Sequence, residues 1–341
     1  MNNSFPQGPG GPSRRHALAA VAGTLVSLTL PGPLVRTAQA AGTADASRFP
    51  RKSVTLIVPY SAGGGTDIVG RLLAQKLGDR WGQSVLVDNR TGANGVIGSA
   101  HVAKSPPDGY TLLLVVGSHA VNPVLMKSMP YDTVSAFSSI TNVATSPTVL
   151  VVSAKGPYKT LPDLLAAARK EELGVGNSEG QTRLTGELVR QAAGLRTVEV
   201  AYKGGAPMMV DIIGGHLPVG YTSVLTALPH VQAGNLRVVG VTGRERINVF
   251  PEAMTFAEAG VPGVESFSWY GMFGPAGMPA PLVEQIRSDL RAVCADPAVA
   301  SQLRDQGAKL VLGSPAELDS FVRAESIKWA TVAQRGGIRP E

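Results

Sequence analysis

The sequence predicts an α/β protein of two lobes, each a mainly parallel sheet flanked by helices, with a ligand cleft between them. Apolar runs of strand length alternate with segments of helical period, which is typical of parallel strands covered by helices. The alternation forms two series, and a long C-terminal stretch returns after the second. With 341 residues, of which 44% are hydrophobic and 16% charged, the chain is long enough to fill two cores.

The first series predicts strands at 54–58, 85–87 and 110–116. A helix follows the first strand, because Ile68, Leu72, Leu73 and Leu77 fall on one helical face and Gly82 ends it. A second helix is predicted at 96–103, and the sequence Pro-Pro-Asp-Gly at 106–109 is a loop.

The second series predicts strands at 148–153, 174–176, 197–201, 219–222 and 236–242, with helices at 161–169, at 208–213 and ending near Gly234. A Gly- and Pro-rich passage at 250–281 and two helical patterns at 282–294 and 315–332 complete the chain. We therefore expect residues 41–147 and 243–341 to form one lobe, with 148–242 inserted as the other.

Residues 1–40 have the pattern of a cleaved export signal. Arg14 and Arg15 precede an apolar run at 17–30, and Ala38-Gln39-Ala40 supplies a small-x-small cleavage site. The arginine pair resembles a twin-arginine signal, with the general secretory route as the alternative. An N-terminal membrane anchor is a further alternative, although the run is shorter than the ~20 residues that span a bilayer. We expect a periplasmic protein cleaved after about Ala40.

The charge balance argues against nucleic acid as a partner. The whole chain carries 31 Lys and Arg against 25 Asp and Glu, and residues 1–40 hold three arginines and no acids. The remaining 28 basic residues give a formal charge of only +3, without a dense basic run. Cys294 is the single cysteine, so an internal disulfide is excluded.

Three successive glycines, Gly63 to Gly65, separate the first strand from its helix. Helix N-termini bind anions, because their first N–H groups lack partners and the helix dipole adds positive charge. Glycines tolerate positive φ and let backbone amides approach a ligand, while Ser61 and Thr66 add hydroxyl donors. The pattern favours a phosphate or carboxylate site.

Three interpretations of this loop compete. It could be a tight turn capped by Thr66 or Asp67 without a ligand. A dinucleotide site would use Asp88 as its ribose-binding acid, but Ile68 stands where the fingerprint requires glycine or alanine. The third interpretation is a small carboxylate enclosed by the second lobe. A second glycine-rich segment follows at 89–95, where Arg90 is expected to pair with Asp88 rather than with a ligand.

Enzyme signals are weak. No Gly-x-Ser-x-Gly elbow is formed at Ser61, since Pro59 stands two residues before it, and the chain has no His-Glu-x-x-His. The histidines beyond residue 40 lie in separate segments without metal-ligand spacing. We expect no enzymatic activity, no cofactor and no metal.

Several separated motifs together resemble one known family, the Bug receptors, which are periplasmic solute-binding proteins of tripartite tricarboxylate transporters. The resemblance covers 49–338 and rests on VTLIVPYSAGGGTDIVGRLLAQKL, VDNRTGANGVIGS, SPPDGYTLLL, NPVLMKSMPYD, AYKGGAP, LPHVQAGNLRVVGVTG, FAEAGVPG and WYGMFGPAGMPAP. It implies a type II-like two-lobed binding protein that closes on a small organic acid, with one carboxylate held at the first βα loop, partly through ordered waters.

The resemblance also implies the ligand-binding residues. The first loop contributes Tyr60, Ser61, Ala62, Gly63, Gly64, Gly65, Thr66 and Asp67. The second lobe contributes Ser178, Gly180, Gln181, Thr182, Thr222 and Ser223, with Ser118 and Lys203 at the edge of the cleft.

Two departures from the family pattern concern the ligand. Many members carry a Gly- and Ser-rich loop ending in His-Leu, where this chain has Asn-Ser-Glu-Gly-Gln-Thr-Arg-Leu at 177–184. Glu179 and Arg183 therefore change the charge of that loop. Many members also have Asp at the position of Thr222, and its absence argues mildly against an amino acid ligand.

The sequence thus predicts a monomeric receptor that captures a mono- or dicarboxylate, aliphatic or aromatic, and delivers it to the membrane subunits of a tripartite tricarboxylate transporter. One alternative is a receptor that reports its ligand to a signalling partner. An exported α/β enzyme acting on an organic acid is the other.

Overall fold

The computed structural model describes residues 49–341, and the predicted export signal lies outside them. The first part of the described chain contains strands β1 (Val54–Val58), β2 (Val85–Asn89), β3 (Thr111–Val115) and β4 (Phe137–Ser153), and helices α1 (Gly65–Trp81), α2 (Val96–Ala103) and α3 (Ser118–Leu125).

The middle part contains helices α4 (Leu161–Lys170), α5 (Gly180–Ala193), α6 (Gly205–Gly214) and α7 (Val224–Gln232), and strands β5 (Leu173–Asn177), β6 (Thr197–Ala201), β7 (Val219–Ser223) and β8 (Leu236–Val241). The last part contains β9 (Met254–Thr255), β10 (Phe267–Pro275), α8 (Ala280–Ala295), α9 (Pro297–Asp305), β11 (Lys309–Leu310) and α10 (Pro315–Arg335).

The fold is two-lobed, and the long strand β4 joins the lobes. Residues 137–147 of β4 pair with β10, whereas residues 148–153 pair with β7 and β8. The strand order is β2-β1-β3-β10-β4-β7-β5-β6. We call the half with β1, β2, β3 and β10 lobe 1, and the half with β5 to β9 lobe 2.

The sheets are less parallel at their centre than the sequence predicts. The pairs β1–β2, β1–β3, β5–β6 and β5–β7 are parallel. However, β10 runs antiparallel to both β3 and β4, and β4 runs antiparallel to β7 and β8. The two parallel series are therefore joined through an antiparallel centre.

Each lobe has its own core. In lobe 1 a cluster that includes Leu56, Leu73 and Ile286 joins β1, α1 and α8, and in lobe 2 α4 packs on β4 and β7. Residues after β8 also pack in lobe 2, since Phe250, Phe256 and Val264 are buried among its side chains. Lobe 2 thus extends beyond the boundary expected at 242.

A further apolar cluster connects the lobes behind the cleft. Val121 on α3, Leu184 on α5 and Trp329 on α10 are buried together. Helix α5 is thereby held between two helices of lobe 1.

Candidate functional site

Four helix N-termini converge on one small polar cavity between the lobes. Its lining includes the N-cap residues of α1, α5, α6 and α7, which are Gly64, Glu179, Gly204 and Ser223. The cavity has a volume of about 50 Å³. Because each N-terminus carries partial positive charge and N–H groups directed out of the helix, the arrangement suits an anion.

The lining is rich in hydroxyl and amide groups. Nine of the residues predicted from the sequence take part: Tyr60, Ser61, Gly64, Gly65, Thr66, Ser178, Thr182, Thr222 and Ser223. Glu179, which the sequence singled out for the charge of its loop but not as a ligand contact, also lines the cavity. The remaining lining residues were missed by the sequence interpretation: Val116, Gly204, Gly205, Thr226, Ser268 and Tyr270. Among residues 49–341, lysine, arginine and histidine do not line this cavity, and Glu179 is the one acid that does.

Hydrogen bonds between the lobes surround the cavity. The Gly65 amide donates to Thr226 Oγ1 (3.0 Å), and Ser61 Oγ donates to the carbonyl of Lys203. Lys203 contributes this carbonyl while its side chain is exposed, and it does not line the cavity. The start of α1 is therefore fixed to lobe 2 on two sides.

Asp67 has a structural role in place of the predicted ligand contact. Its Oδ2 accepts from the Gly63 amide and from Arg71 Nε, both at 2.9 Å, and its Oδ1 accepts from Asn89 Nδ2 at 3.1 Å. Burial alone would raise the pKa of Asp67, but these hydrogen bonds hold it below its usual range. The Gly63 amide is thus engaged by Asp67, and neither residue lines the cavity.

The three glycines have different roles. Only Gly63 has positive φ (78°), and open space surrounds the position of a Cβ there. At Gly65 an added Cβ would lie 2.5 Å from Ser223 Oγ and 2.8 Å from Tyr270 Oη. Gly65 therefore allows close packing against Ser223 of lobe 2 and Tyr270 of lobe 1, and positive φ explains only Gly63.

Four other predicted residues lie near the cavity without lining it. Ala62 is exposed at the loop tip. Ser118 is fully buried, with its Oγ 2.5 Å from Tyr60 Oη. The Gly180 amide donates to Asn94 Oδ1 (3.0 Å), and Gln181 Nε2 donates to the carbonyl of Phe267 (2.7 Å). The bonds from Gly180 and Gln181 join lobe 2 to lobe 1.

Three further observations concern the described residues. Arg90 Nε pairs with Asp88 at 2.7 Å, as predicted. Within residues 49–341, histidine, cysteine and acidic side chains form no cluster of three or more arranged to hold a metal. No helix in this range combines the length and apolarity needed to cross a bilayer.

A larger apolar cavity of about 120 Å³ lies inside lobe 2, lined by side chains such as Leu164, Val189 and Tyr221. Its walls are mostly apolar, and the helix N-termini that surround the polar cavity do not reach it, apart from Thr182 in the first turn of α5. The polar cavity is therefore the candidate site for an anion.

Known proteins share this sequence and architecture. The family model described as "Tripartite tricarboxylate transporter family receptor" matches residues 69–338. Protein BugT of Bordetella pertussis is 33% identical over 318 residues, covering 92% of this chain and 98% of BugT. A protein from the tcbD–tcbE intergenic region of a Pseudomonas species is 33% identical over 289 residues, covering 82% of this chain and 85% of that protein.

Solved structures agree with these relatives. R. palustris Rpa4515 with adipate has a TM-score of 0.83 and 34% identity, covering 86% of this chain and 100% of its own. The periplasmic binding protein BugD has a TM-score of 0.82 and 28% identity, with the same coverage of 86% and 100%. MatC of Rhodopseudomonas palustris with bound malate has a TM-score of 0.78 and 25% identity, covering 83% and 99%.

Proposed function

Because the chain belongs to the tripartite tricarboxylate transporter receptor family, we propose that it captures a small carboxylate in the periplasm and delivers it to the membrane subunits of such a transporter. The observation that carries the proposal is the convergence of four helix N-termini on one polar cavity between the lobes. The similar structures with adipate and malate support a carboxylate as the class of ligand.

The ligand carboxylate is expected at the N-termini of α1, α6 and α7. Gly64, Gly65 and Thr66 line the cavity from α1, Gly204 and Gly205 from α6, and Ser223 and Thr226 from α7. The amides of Gly65 and Thr226 are engaged by Thr226 Oγ1 and Ser223 Oγ, so we expect the N–H groups of Thr66, Gly204 and Gly205 and the hydroxyls to donate to the carboxylate. No fixed cation is required for this mode of binding.

Binding is proposed to close the lobes by bending at their connections. The change of β4 partners between Pro147 and Thr148 supports one crossing there. The packing of residues 250–264 on lobe 2 supports a later return crossing than 242, close to Ser266. A ligand that contacts both lobes favours the closed form because it gains more contacts there.

A thermal-shift screen of the protein against mono- and dicarboxylates tests capture. A ligand that binds only the folded state raises stability by about 2.7 kcal/mol at one hundred times its Kd. We expect at least one carboxylate to raise the melting temperature, and none doing so would contradict the proposal. Ligand-dependent uptake by membrane vesicles containing the transporter subunits would then separate delivery from signalling.

We also propose that the ligand is not chemically changed. The cavity is lined by hydroxyls, amides and one carboxyl group, and a nucleophile paired with a base is not assembled there. Prolonged incubation followed by mass spectrometry should return the bound acid unaltered. Turnover by the wild type that is lost in a cavity variant would favour the enzyme alternative.

A further inference from the structure

Apart from two tyrosines, Glu179 is the one ionisable side chain that lines the candidate site in the described part of the chain. It is the N-cap of α5, and its Oε2 accepts from the Ser118 amide, at the start of α3, at 2.9 Å. Hydrogen bonds from the backbone of Gln181 and Thr182 also reach its carboxyl group. The Glu179 carboxylate thus accepts hydrogen bonds from N–H groups at two helix N-termini, that of α3 in lobe 1 and that of α5 in lobe 2.

We propose that Glu179 acts as a built-in second carboxylate, so that the receptor selects monocarboxylates over dicarboxylates. This inference rests on the proposed function and deepens it. The Gly65 amide already donates to Thr226 Oγ1, so the donors expected for the ligand carboxylate are the backbone at Thr66, Gly204 and Gly205 and the hydroxyls of α7, whereas the amides at the starts of α3 and α5 already donate to Glu179. A second carboxylate on the ligand would lie beside the Glu179 carboxylate, at a position where it needs a hydrogen-bond donor.

The size of the cavity keeps the ligand close to Glu179. One buried water requires about 10–15 Å³, and the cavity has about 50 Å³. A ligand that fills it at the N-terminus of α1 therefore extends to the N-terminus of α5. Like charges at such short range repel strongly, since little water separates them.

Among the residues that the structure describes, the side chains lining the cavity with Glu179 carry no fixed positive charge. Tyr60 and Tyr270 face it from the end of β1 and from β10, and burial, with the charge of Glu179 in addition, raises both of their pKa values. On α5, Arg183 pairs with Glu199 (2.7 Å) and Glu341 (3.0 Å).

On α3, His119 is buried, which lowers its pKa to about 4, so its ring is neutral. Burial raises the pKa of Glu179 itself to about 7, although the hydrogen bonds from Gln181, Ser118 and Thr182 act in the opposite direction. Selectivity should therefore vary with pH. Below pH 7 Glu179 becomes neutral and tolerates a second carboxylate, and above pH 7 its charge opposes one.

The size of the effect has a limit. A dicarboxylate can still bind if Glu179 takes up a proton. The fraction of molecules with Glu179 protonated falls about tenfold with each pH unit above its pKa. At pH 8 the penalty should thus reach about tenfold relative to acid conditions. Glu179→Gln keeps the shape and an acceptor oxygen but removes the charge, so it should abolish the penalty.

Calorimetry with matched pairs tests this, using propanoate and butanoate against malonate and succinate, at pH 6 and pH 8. For the wild type we expect dicarboxylate affinity to fall about tenfold at pH 8 relative to monocarboxylate affinity. In Glu179→Gln the ratio should be independent of pH. Glu172→Gln, at an exposed position of lobe 2, is the matched control and should behave as the wild type.

The outcomes separate the two proposals. Dicarboxylates that bind the wild type equally well at both pH values, without change in Glu179→Gln, would overturn the role of Glu179 and leave the receptor function intact. Failure of all four acids to bind either protein, together with no response in the wider carboxylate screen, would overturn the receptor function and this inference with it.

Discussion

At the scale of single residues, Gly65 is the most constrained position of the glycine loop. A Cβ there would lie 2.5 Å from Ser223 Oγ and 2.8 Å from Tyr270 Oη, and the Gly65 amide also donates to Thr226 Oγ1. Gly65→Ala should therefore push α1 away from lobe 2 and lower the free energy of unfolding by about 1–3 kcal/mol. Chemical denaturation measures this loss, and ligand affinity should fall with it.

Gly64→Ala is the matched control for that substitution. Gly64 has φ of −79°, and the nearest atom to an added Cβ is the Ser61 carbonyl oxygen at 3.4 Å. We expect its stability to remain within about 0.5 kcal/mol of the wild type. Equal losses in the two variants would show that crowding by lobe 2 does not explain Gly65.

We expect Thr222 to influence how the cavity responds to a ligand ammonium group. It is buried to 1% exposure and lines the cavity from the end of β7. Thr222→Asp should weaken propanoate about tenfold or more, because two negative charges would lie close together where screening by water is reduced.

The amino analogue of propanoate, 2-aminopropanoate, should lose less affinity or gain some, because its ammonium group can pair with the new carboxylate. Calorimetry on both acids with both proteins gives the sign of the selectivity change. Equal losses would indicate general damage to the fold and would contradict contact between Thr222 and the ligand.

At the scale of helices and strands, local patterns predicted the outer elements better than the central ones. Strand β1 and helices α1, α2, α8 and α10 lie close to their predicted positions. Strand β10 was missed inside a Gly- and Pro-rich passage, because nearly all of its residues are buried and no alternation of polar and apolar residues remains.

The first half of β4 was missed for a different reason. Its Ser139, Thr141 and Ser146 resemble loop residues, yet their hydroxyls donate to Asp319 Oδ1 and to the carbonyls of Gly313 and Gly307. These partners are far away in sequence, so a local pattern does not reveal them. The same limit applies to Glu179 and Tyr270 in the cavity, which the fold brings to the first loop from distant segments.

The contact between α3 and α5 makes an element-scale prediction. At Gly117, the N-cap of α3, an added Cβ would lie 2.8 Å from the Cβ of Gln181. A rotamer change cannot move that atom, so Gly117→Ala should force α5 away from α3. We expect ligand affinity, measured by calorimetry, to fall about tenfold or more, which corresponds to ~1.4 kcal/mol.

The control is Gly186→Ala, in the interior of α5. An added Cβ there would meet only the Tyr221 ring, at 3.4 and 3.6 Å. A helix with alanine at an interior position is more stable than one with glycine by roughly 0.5–1 kcal/mol. This variant should therefore be at least as stable as the wild type. Unchanged affinity in Gly117→Ala would mean that α3 and α5 do not need this close approach for binding.

At the scale of the whole molecule, the lobes are held together by an apolar contact between helices and by hydrogen bonds at the first loop. Helix α5 packs on α3 and α10, while Ser61, in the first loop, donates to the Lys203 carbonyl. The apolar contact is extensive, whereas the loop contact consists of two hydrogen bonds, from Ser61 Oγ to the Lys203 carbonyl and from the Gly65 amide to Thr226 Oγ1. The loop side is therefore the weaker one, and the cleft is expected to open there.

Ser61→Ala tests this directly. Losing one hydrogen bond costs about 1 kcal/mol, which changes the ratio of open to closed molecules by about fivefold. Without ligand, small-angle X-ray scattering should give a larger radius of gyration than for the wild type, and saturating ligand should restore the compact value. Apparent affinity should fall by at most about fivefold, because only the closed form binds tightly.

Ser105→Ala, which removes a 2.9 Å hydrogen bond to the His101 carbonyl within lobe 1 alone, is the control and should leave both measurements unchanged. Identical scattering and affinity for Ser61→Ala and Ser105→Ala would contradict opening on the loop side and would place the moving contact at α5.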